Sequence, residues 1–288
     1  MLYRDRKGRT FRGNEKQDRF LRAVYGSAPG RLVLKLLIQP GVSRFCGVIL
    51  SSRISALGAA ALMKKYHMDP SDYQTDRFDS WNEFFRRQFR PEQRPVDRAP
   101  DALISPCDGK LRCCTIRRDG SFTIKRCRYS LETLLRNRTL AAEYEGGQLL
   151  IFRLTVDDYH RYCYIADGRK SKNVSLPGVF HTVNPAAEEW FPVYQENARE
   201  YSCLETERLG KVLMVEVGAM LVGKIVNHHG ETTAARGQEK GYFEFGGSTI
   251  LLAFQKDRVS VDRDIQQNSA EGIETLVRLG ERIGTALG

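Results

Sequence analysis

Gly246-Gly247-Ser248-Thr249 is the segment of this 288-residue chain with the most distinctive chemistry. Two glycines allow backbone dihedral angles that a Cβ would forbid, and the Ser248 hydroxyl can reach back to the carbonyl of Gly247. That arrangement suits an N→O acyl shift, in which the hydroxyl attacks the preceding peptide carbonyl and converts the amide into an ester. Loss of the serine α-proton would then expel the upstream chain and leave dehydroalanine, which hydrolyses to an N-terminal pyruvoyl group and ammonia.

The same four residues on their own are more typical of a turn or a bulge that leads into a strand. The surrounding sequence therefore decides between the two interpretations. Six further features occur in this order along the chain: Ser80-Trp81-Asn82-Glu83-Phe84-Phe85-Arg86-Arg87 with Arg94-Pro95, Ser105-Pro106-Cys107-Asp108-Gly109, Asp158-Tyr159-His160-Arg161-Tyr162, Pro177-Gly178 with Val183-Asn184-Pro185, Val215-Glu216-Val217-Gly218-Ala219 with Val222-Gly223, and Gly241-Tyr242-Phe243-Glu244-Phe245 directly before the glycines.

Together these segments resemble the phosphatidylserine decarboxylase family, over roughly residues 78 to 285. The resemblance implies an enzyme that decarboxylates phosphatidylserine to phosphatidylethanolamine in phospholipid biosynthesis. It implies self-cleavage between Gly247 and Ser248, which would give a large chain 1–247 and a small chain 248–288 that stay associated. The implied cofactor is pyruvate, as a covalent pyruvoyl group made from Ser248. Its ketone can condense with the headgroup amine and accept the electrons released with carbon dioxide, the role that pyridoxal phosphate plays elsewhere.

The resemblance also implies roles for particular side chains. Ser248 would be the nucleophile and pyruvoyl precursor, and a serine hydroxyl needs a base to take its proton. Asp108 would be the acid that orients this base, although Asp-Gly is also a common turn dipeptide. His160 follows a predicted buried strand, and its Asp-Tyr-His-Arg context indicates either the base in self-cleavage or the proton donor in decarboxylation. A histidine at a strand end can also be purely structural.

Position 163 departs from the family pattern. Many relatives have a second histidine there, usually assigned as the base, whereas this chain has Cys163. A thiol with a pKa of about 8.5 cannot simply replace imidazole at neutral pH. Two substitutes remain open, namely His181, which lies beside the Val-Asn-Pro segment, or His160 acting in both steps.

The charge distribution predicts a membrane-surface protein. The formal net charge is +10, and residues 19–68 contain eight Lys or Arg but no Asp or Glu. Two apolar runs in this region, Leu32–Ile38 and Phe45–Leu50, are shorter than the ~20 residues that span a bilayer. We expect this region to form short amphipathic helices that lie on the surface of an anionic phospholipid membrane. The chain would then be a peripheral protein at the cytoplasmic face of the cell membrane. The alternative is a helical layer packed on the chain's own core with its basic residues solvated.

Other classes of function fit the composition less well. No zinc-finger, helix-turn-helix or RNP-type signature suggests nucleic-acid binding, and the basic residues alternate with aliphatic rather than aromatic side chains. The seven cysteines do not have zinc-site spacing, so no metal is predicted, and reduced thiols in a cytosolic compartment are expected. The N-terminus lacks the apolar core of a signal peptide. A pyruvoyl enzyme acting on a soluble amino acid and a non-enzymatic basic membrane-binding protein remain alternatives.

The predicted fold class is α+β, with a mainly antiparallel β catalytic domain. Residues 1–98 would form an amphipathic helical, membrane-associating segment, and residues 99–288 the decarboxylase domain. Capping by Ser80 with Glu83, and by Ser130, predicts two short helices. Apolar spacing over residues 270–286 predicts a C-terminal helix. We also expect the protein to be a homo-oligomer. Strands are predicted over residues 111–116, 149–156, 162–166, 212–217, 221–226 and 249–254.

Overall fold

The computed structural model describes residues 2–124, 127–187, 190–219, 224–244 and 248–288. The strands are β1 (Leu2–Arg4), β2 (Thr10–Arg12), β3 (Ala102–Ile104), β4 (Gly109–Thr115), β5 (Ser121–Ile124), β6 (Cys127–Ser130), β7 (Gln148–Leu154), β8 (Arg161–Cys163), β9 (Gly168–Lys170), β10 (Val174–Leu176), β11 (Arg199–Thr206), β12 (Gly210–Val217), β13 (Lys224–Asn227), β14 (Thr232–Ala234), β15 (Glu239–Glu244), β16 (Ser248–Phe254), β17 (Val259–Val261), β18 (Glu274–Val277) and β19 (Arg282–Ala286). The helices are α1 (Glu15–Gly26), α2 (Ala28–Leu37), α3 (Pro40–Leu50), α4 (Ala56–Lys65), α5 (Trp81–Phe85), α6 (Leu131–Leu135), α7 (Arg138–Ala142), α8 (Val193–Glu196) and α9 (Arg263–Ala270).

A large twisted sheet forms the centre of the fold. Its strand order is β14-β9-β11-β12-β16-β7-β4-β18-β1-β2, with β10 also paired to β11. All of its pairs are antiparallel except β1 with β18. Strand β16 lies between β12 and β7, and all seven of its residues are buried, as its apolar sequence requires. The predicted α+β class with a mainly antiparallel sheet is therefore confirmed.

A smaller sheet, β13-β15-β8, carries two of the segments singled out from the sequence. Strand β8 directly follows His160, and β15 ends two residues before Gly246, the first of the two glycines. The predicted strand over 221–226 falls partly outside the described residues, and its described part is β13 from Lys224 onward.

The N-terminal region is helical between residues 15 and 65, as the apolar and basic pattern predicts for most of it. Helix α1 buries Leu21 and Tyr25, and α2 buries Leu34 against the main core. Residues 2–12 instead form a hairpin, β1 with β2, that extends the central sheet through β18. Helix α5 has the predicted cap, since the Ser80 hydroxyl accepts a hydrogen bond from the Glu83 N–H at 3.1 Å.

The prediction of a C-terminal helix over residues 270–286 is wrong. Helix α9 ends at Ala270, and strands β18 and β19 follow. Gly272 (φ +74°) and Gly280 (φ +82°) have left-handed backbone conformations that stop a helix before each strand. The apolar spacing that favoured a helix is produced by two short strands, β18 pairing with β4 and β19 with β3. The proposed small chain therefore contains four strands and one helix.

Candidate active site

The central sheet brings several strand ends together along one edge. Strand β4 pairs antiparallel with β7, and β16 pairs antiparallel with both β7 and β12. The first residues of β4 and β16 therefore lie beside the last residues of their neighbours. Ser248, the first residue of β16, is the register partner of Leu154, the last residue of β7. Asp108 directly precedes β4. One row of register partners crosses the sheet next to this edge through Lys110, Arg153, Thr249 and Val217.

Ser248 is completely buried, and its Oγ has no hydrogen-bond partner among the described residues. An unpartnered buried hydroxyl destabilises a fold by about 1–3 kcal/mol, so such groups are rare and often functional. The glycines of the proposed cleavage site, Gly246 and Gly247, lie outside the described residues. The Ser248 hydroxyl is thus not used to stabilise the described structure and is available for chemistry.

His160 is also completely buried, and its two ring nitrogens have different environments. Nδ1 lies 3.0 Å from the carbonyl oxygen of Asp158. A carbonyl only accepts hydrogen bonds, so Nδ1 carries the proton and Nε2 has a free lone pair. Nε2 has no hydrogen-bond partner among the described residues. Burial, with a further contribution from Arg87, lowers the pKa of His160 to about 3, which keeps the imidazole neutral and its Nε2 lone pair unprotonated.

The helix α5 segment holds this histidine in place. The ring of Phe85 lies against the His160 ring, with 3.9 Å between the centroids. Nη2 of Arg87 donates to the carbonyl oxygens of Asp157 (3.1 Å) and Asp158 (2.7 Å), which cross-links α5 to the turn before β8. These contacts give a structural reason for the paired phenylalanines and arginines in the sequence.

The Asp158 carboxylate fixes the same turn from its other side. It accepts hydrogen bonds from Lys110 Nζ at 2.6 Å and from the backbone N–H of Thr155 at 2.6 Å. Burial alone would raise the pKa of Asp158, but the Lys110 ammonium and these hydrogen bonds outweigh it and lower the pKa. Asp158 is therefore a carboxylate that orients the backbone carbonyl bound by His160.

The structure places the Asp108 carboxylate against Arg94 and β18's end rather than against a histidine. Arg94 Nε donates to Asp108 Oδ1 at 2.8 Å, and the backbone N–H of Leu279 donates to the same oxygen at 2.9 Å. No hydrogen bond joins Asp108 to His160 or His181 in the described part of the chain. Its assigned role of orienting the base stays a prediction.

Cys163 lines a cavity of about 250 Å³ together with Arg94, Tyr159 and Leu279. Burial raises the pKa of its thiol to about 12. The thiol is therefore protonated at neutral pH and does not supply a base, in agreement with the chemistry expected from its residue type.

His181 has both ring nitrogens occupied. The Thr182 N–H donates to the Tyr25 hydroxyl at 3.1 Å, which leaves the hydroxyl hydrogen to donate to His181 Nδ1 at 3.3 Å. Nε2 then carries the proton and contacts Glu196 Oε2 at 3.1 Å. Burial lowers the pKa of His181 to about 4. In this conformation His181 has no free lone pair for Ser248.

Asn197 connects His181 to the sheet edge. The Asn197 side chain accepts a hydrogen bond from the backbone N–H of His181 at 2.8 Å. It donates one at 2.7 Å to the backbone carbonyl of Gly218, the residue that directly follows β12. His181 also lines a cavity of about 640 Å³ beneath helix α2, with apolar walls and with Arg31 and Lys35 among its residues. His181 thus belongs to the wall of a cavity of small-molecule size.

Sequence analysis missed a buried ionic network behind this edge. Lys240 and Glu216 form an ion pair of 2.7 Å with both side chains completely buried. A single carboxylate inside the apolar run of β12 was the signal that could have found it, because a buried carboxylate requires a partner. Asn227 and Tyr162 complete the network.

Comparisons with known proteins agree with the motif pattern. The family model described as phosphatidylserine decarboxylase matches residues 81–285. The phosphatidylserine decarboxylase proenzyme 2 of Clostridium acetobutylicum is 41% identical over 265 residues, covering 92% of this chain and 91% of the relative. The phosphatidylserine decarboxylase proenzymes of Ruminiclostridium cellulolyticum and Clostridium novyi are 39% and 38% identical, covering 93% and 94% of this chain and 92% and 94% of the relatives.

Proposed function

We propose that this chain, which belongs to the phosphatidylserine decarboxylase family, is a proenzyme that activates itself by cutting the Gly247–Ser248 peptide bond. Its enzymatic activity is that of the family, the decarboxylation of phosphatidylserine. Removal of the carboxyl group from a serine headgroup leaves ethanolamine, so the product is phosphatidylethanolamine. The observation that carries the proposal is the buried, unpartnered Ser248 hydroxyl at the start of β16.

In the proposed cleavage, His160 Nε2 accepts the Ser248 hydroxyl proton. The Oγ attacks the carbonyl carbon of Gly247, the C–N bond breaks, and an ester joins the two chains. Removal of the Ser248 α-proton then breaks the ester C–O bond, releasing the large chain with a carboxylate and leaving dehydroalanine on the small chain. One water molecule replaces the nitrogen of its imine tautomer, which leaves as ammonia. The neutral state of His160 and its free lone pair support the first step.

The residues present fit a pyruvoyl group at position 248. The position is buried, its hydroxyl has no competing partner among the described residues, and a neutral imidazole is held on the neighbouring turn. When formed, the group supplies a ketone that accepts the electrons released by decarboxylation. The protein's part is to keep water out, to hold His160 through Phe85 and Arg87, and to stabilise charge with the Lys110–Asp158 pair.

Both products of cleavage are expected to stay together. The small chain, residues 248–288, supplies β16 to the space between β12 and β7, and β18 to the space between β4 and β1. Arg153 of the large chain and Glu274 of the small chain form a buried ion pair. Forty-one residues divided between two sheets have too little core to fold alone, so separation would unfold both chains.

We also propose that helices α1–α4 bind the cytoplasmic surface of the cell membrane. Their outer face exposes large apolar side chains, among them Leu36, Phe45, Val48, Ile54 and Leu57. Residues 19–68 carry no Asp or Glu, so this face suits anionic phospholipids. Across the described residues, no single helix is long and apolar enough to cross a membrane, although α2 and Gly41–Leu50, bent by 63°, could do so together by length and composition.

The cavity beneath α2 supports a lipid as the substrate rather than a soluble amino acid. It has a volume of about 640 Å³, within the range of small-molecule sites, and is lined in part by helix α2. Leu34, Ile38 and Phe191 provide apolar surface, and Arg31 and Lys35 provide positive charge for a phosphate.

The test is the conversion of phosphatidylserine by the purified protein, compared with its Ser248→Ala variant. Wild-type protein should release carbon dioxide and form phosphatidylethanolamine in anionic vesicles. Ser248→Ala should remain one chain and form no product, yet melt cooperatively and bind the same vesicles. Product formation by the variant at the wild-type rate would refute the mechanism.

A further inference from the structure

The Lys240–Glu216 ion pair connects β15, which precedes the proposed cleavage point, to β12, the sheet neighbour of β16, which follows it. Lys240 lies on β15, which ends at Glu244, four residues before Ser248. Glu216 lies on β12 opposite Ile250, two residues after Ser248 on β16. Their side chains meet at 2.7 Å between Nζ and Oε1, and neither is exposed to solvent. The pair therefore ties the chain upstream of the cut to the sheet that holds the chain downstream of it.

The rest of the network joins the same pair to the strand that follows His160. Lys240 Nζ donates to Asn227 Oδ1 at 2.8 Å, and the Tyr162 hydroxyl donates to the same oxygen at 3.2 Å. Asn227 Nδ2 donates to Glu216 Oε2 at 3.2 Å and to Glu200. Tyr162 is two residues after His160 on β8. One buried cluster thus joins β15 and β12 to β8, the strand that directly follows His160.

A β-bulge at Lys240 explains how this side chain comes to point inward. On β15, Glu239 pairs with Cys163 and Gly241 pairs with Tyr162, so Lys240 is an extra residue between consecutive pairs. A bulge re-aims one side chain and fixes the register on either side of it. Gly241 is required beside it, since a Cβ there would lie 2.0 Å from the Val226 carbonyl oxygen.

Stability alone does not account for a fully buried ion pair. Removing two charges from water costs several kcal/mol each, and apolar replacements of similar volume are often neutral or stabilising. Fixing register is the best-attested use of such pairs. Here a slip of β15 by one residue would change the number of residues that connect it to Ser248.

We propose that Lys240 and Glu216 are positioning residues for self-cleavage: they lock the register of β15 and so set where the Gly247 carbonyl is presented to the Ser248 hydroxyl. This inference rests on the proposed self-cleavage. The pair acts before the cut, and the finished active site depends on it much less, because β15 and β16 then belong to separate chains.

The test follows cleavage of freshly synthesised proenzyme over time on denaturing gels, together with the kcat of the cut fraction. The double variant Lys240→Met/Glu216→Leu removes both charges without leaving one unpaired, and Glu216→Asp keeps the charge but shortens the reach. Both should melt cooperatively and cut at least about tenfold more slowly, since a misplacement of about 1 Å can slow a reaction by such factors. The kcat of the cut fraction should stay within about twofold of wild type.

Arg199→Met is the control, because Arg199 is also a buried cation but donates to the backbone carbonyls of Leu134 and Gln195 and does not belong to this network. It should cut at the wild-type rate even if its melting temperature falls. Wild-type cleavage rates in a folded Glu216→Asp variant would overturn the inference, and this variant decides the question if the double variant does not fold. An equal loss of cleavage rate and of kcat would also overturn it. Absence of cleavage in the wild type would instead refute the proposed function.

Discussion

The ring of His160 lies 3.9 Å from the ring of Phe85, centroid to centroid, at an interplanar angle of 36°. This contact closes one face of the imidazole against an apolar surface, and the Asp158 carbonyl fixes its Nδ1 proton. The remaining ring nitrogen, Nε2, has a free lone pair and no hydrogen-bond partner among the described residues. The chemistry assigned to the chain depends on this arrangement.

The pH dependence of self-cleavage should reflect the lowered pKa of His160, about 3. If His160 is the base, the cleavage rate should be nearly constant from pH 7 down to pH 5, because the imidazole remains unprotonated throughout. Cleavage of fresh proenzyme on denaturing gels would measure it, with circular dichroism at each pH to confirm folding. A rate that falls with a midpoint near 6.5 would assign the step to an ordinary imidazole.

The same pKa shift predicts how stability depends on pH. His160 has an ordinary pKa of 6.5 when unfolded and about 3 when folded, so the unfolded state binds its proton more readily. The stabilisation is present above pH 6.5 and is lost progressively as the pH falls toward 3. In uncut Ser248→Ala protein, the free energy of unfolding should fall between pH 7 and 5 by about 2 kcal/mol more than in Ser248→Ala/His160→Gln. Equal losses in the two proteins would contradict the shift.

Substitution of the three candidate bases should give a ranked series of cleavage rates. His160→Gln should slow cleavage by at least about 100-fold, the usual contribution of a general base. His181→Gln should have a smaller effect, through the loss of its Tyr25 and Glu196 contacts. Cys163→Ala should have the smallest effect, because the thiol is protonated. Rates should be measured on variants with cooperative melting, and a His181→Gln defect larger than that of His160→Gln would reverse the assignment.

Asp108 and Arg94 should be coupled in stability. Asp108→Asn leaves the mostly buried Arg94 guanidinium without its anionic partner and should destabilise the fold by about 3 kcal/mol. Adding Arg94→Gln should recover part of this loss, as chemical denaturation of the two variants would measure. If Asp108 also acts on the catalytic base, cleavage should remain slow in the stabilised double variant. Recovery of both stability and cleavage would limit Asp108 to a structural role.

Membrane binding should depend on the exposed face of helices α2 and α3. Leu36→Asp/Val48→Asp places two charges on side chains that are 69% and 73% exposed, so the fold should be retained. Binding to anionic vesicles in a sedimentation assay should weaken by at least about tenfold, since apolar area is lost and like charge is added. Val174→Asp on β10 is the control and should bind normally. Unchanged binding of the double variant would show that another surface contacts the membrane.

Local signals in the sequence predicted the elements that are fixed by neighbouring residues. The Ser80 cap, the Ser130 cap and the apolar strand β16 depend on side chains within a few positions of one another. The C-terminal tail was mispredicted because Ile273, Leu276 and Val277 fit a helical period, whereas two glycines with positive φ end the helix first.

Partners that are distant in sequence could not be predicted in this way. The ordered motifs singled out Ser248, His160 and Asp108 as candidates. They did not predict that Arg94 binds the Asp108 carboxylate or that the Tyr25 hydroxyl contacts His181 Nδ1. Such pairs are brought together by the crossing order of the central sheet, which no local pattern encodes.

The most direct test of the account is the intact mass of the purified protein under denaturing conditions. The account predicts two species that together span the chain: residues 1–247 with an ordinary carboxyl end, and residues 248–288 lighter by one ammonia than simple hydrolysis would give. A single species with the mass of the uncut 288 residues, persisting in the presence of anionic lipid, would contradict it.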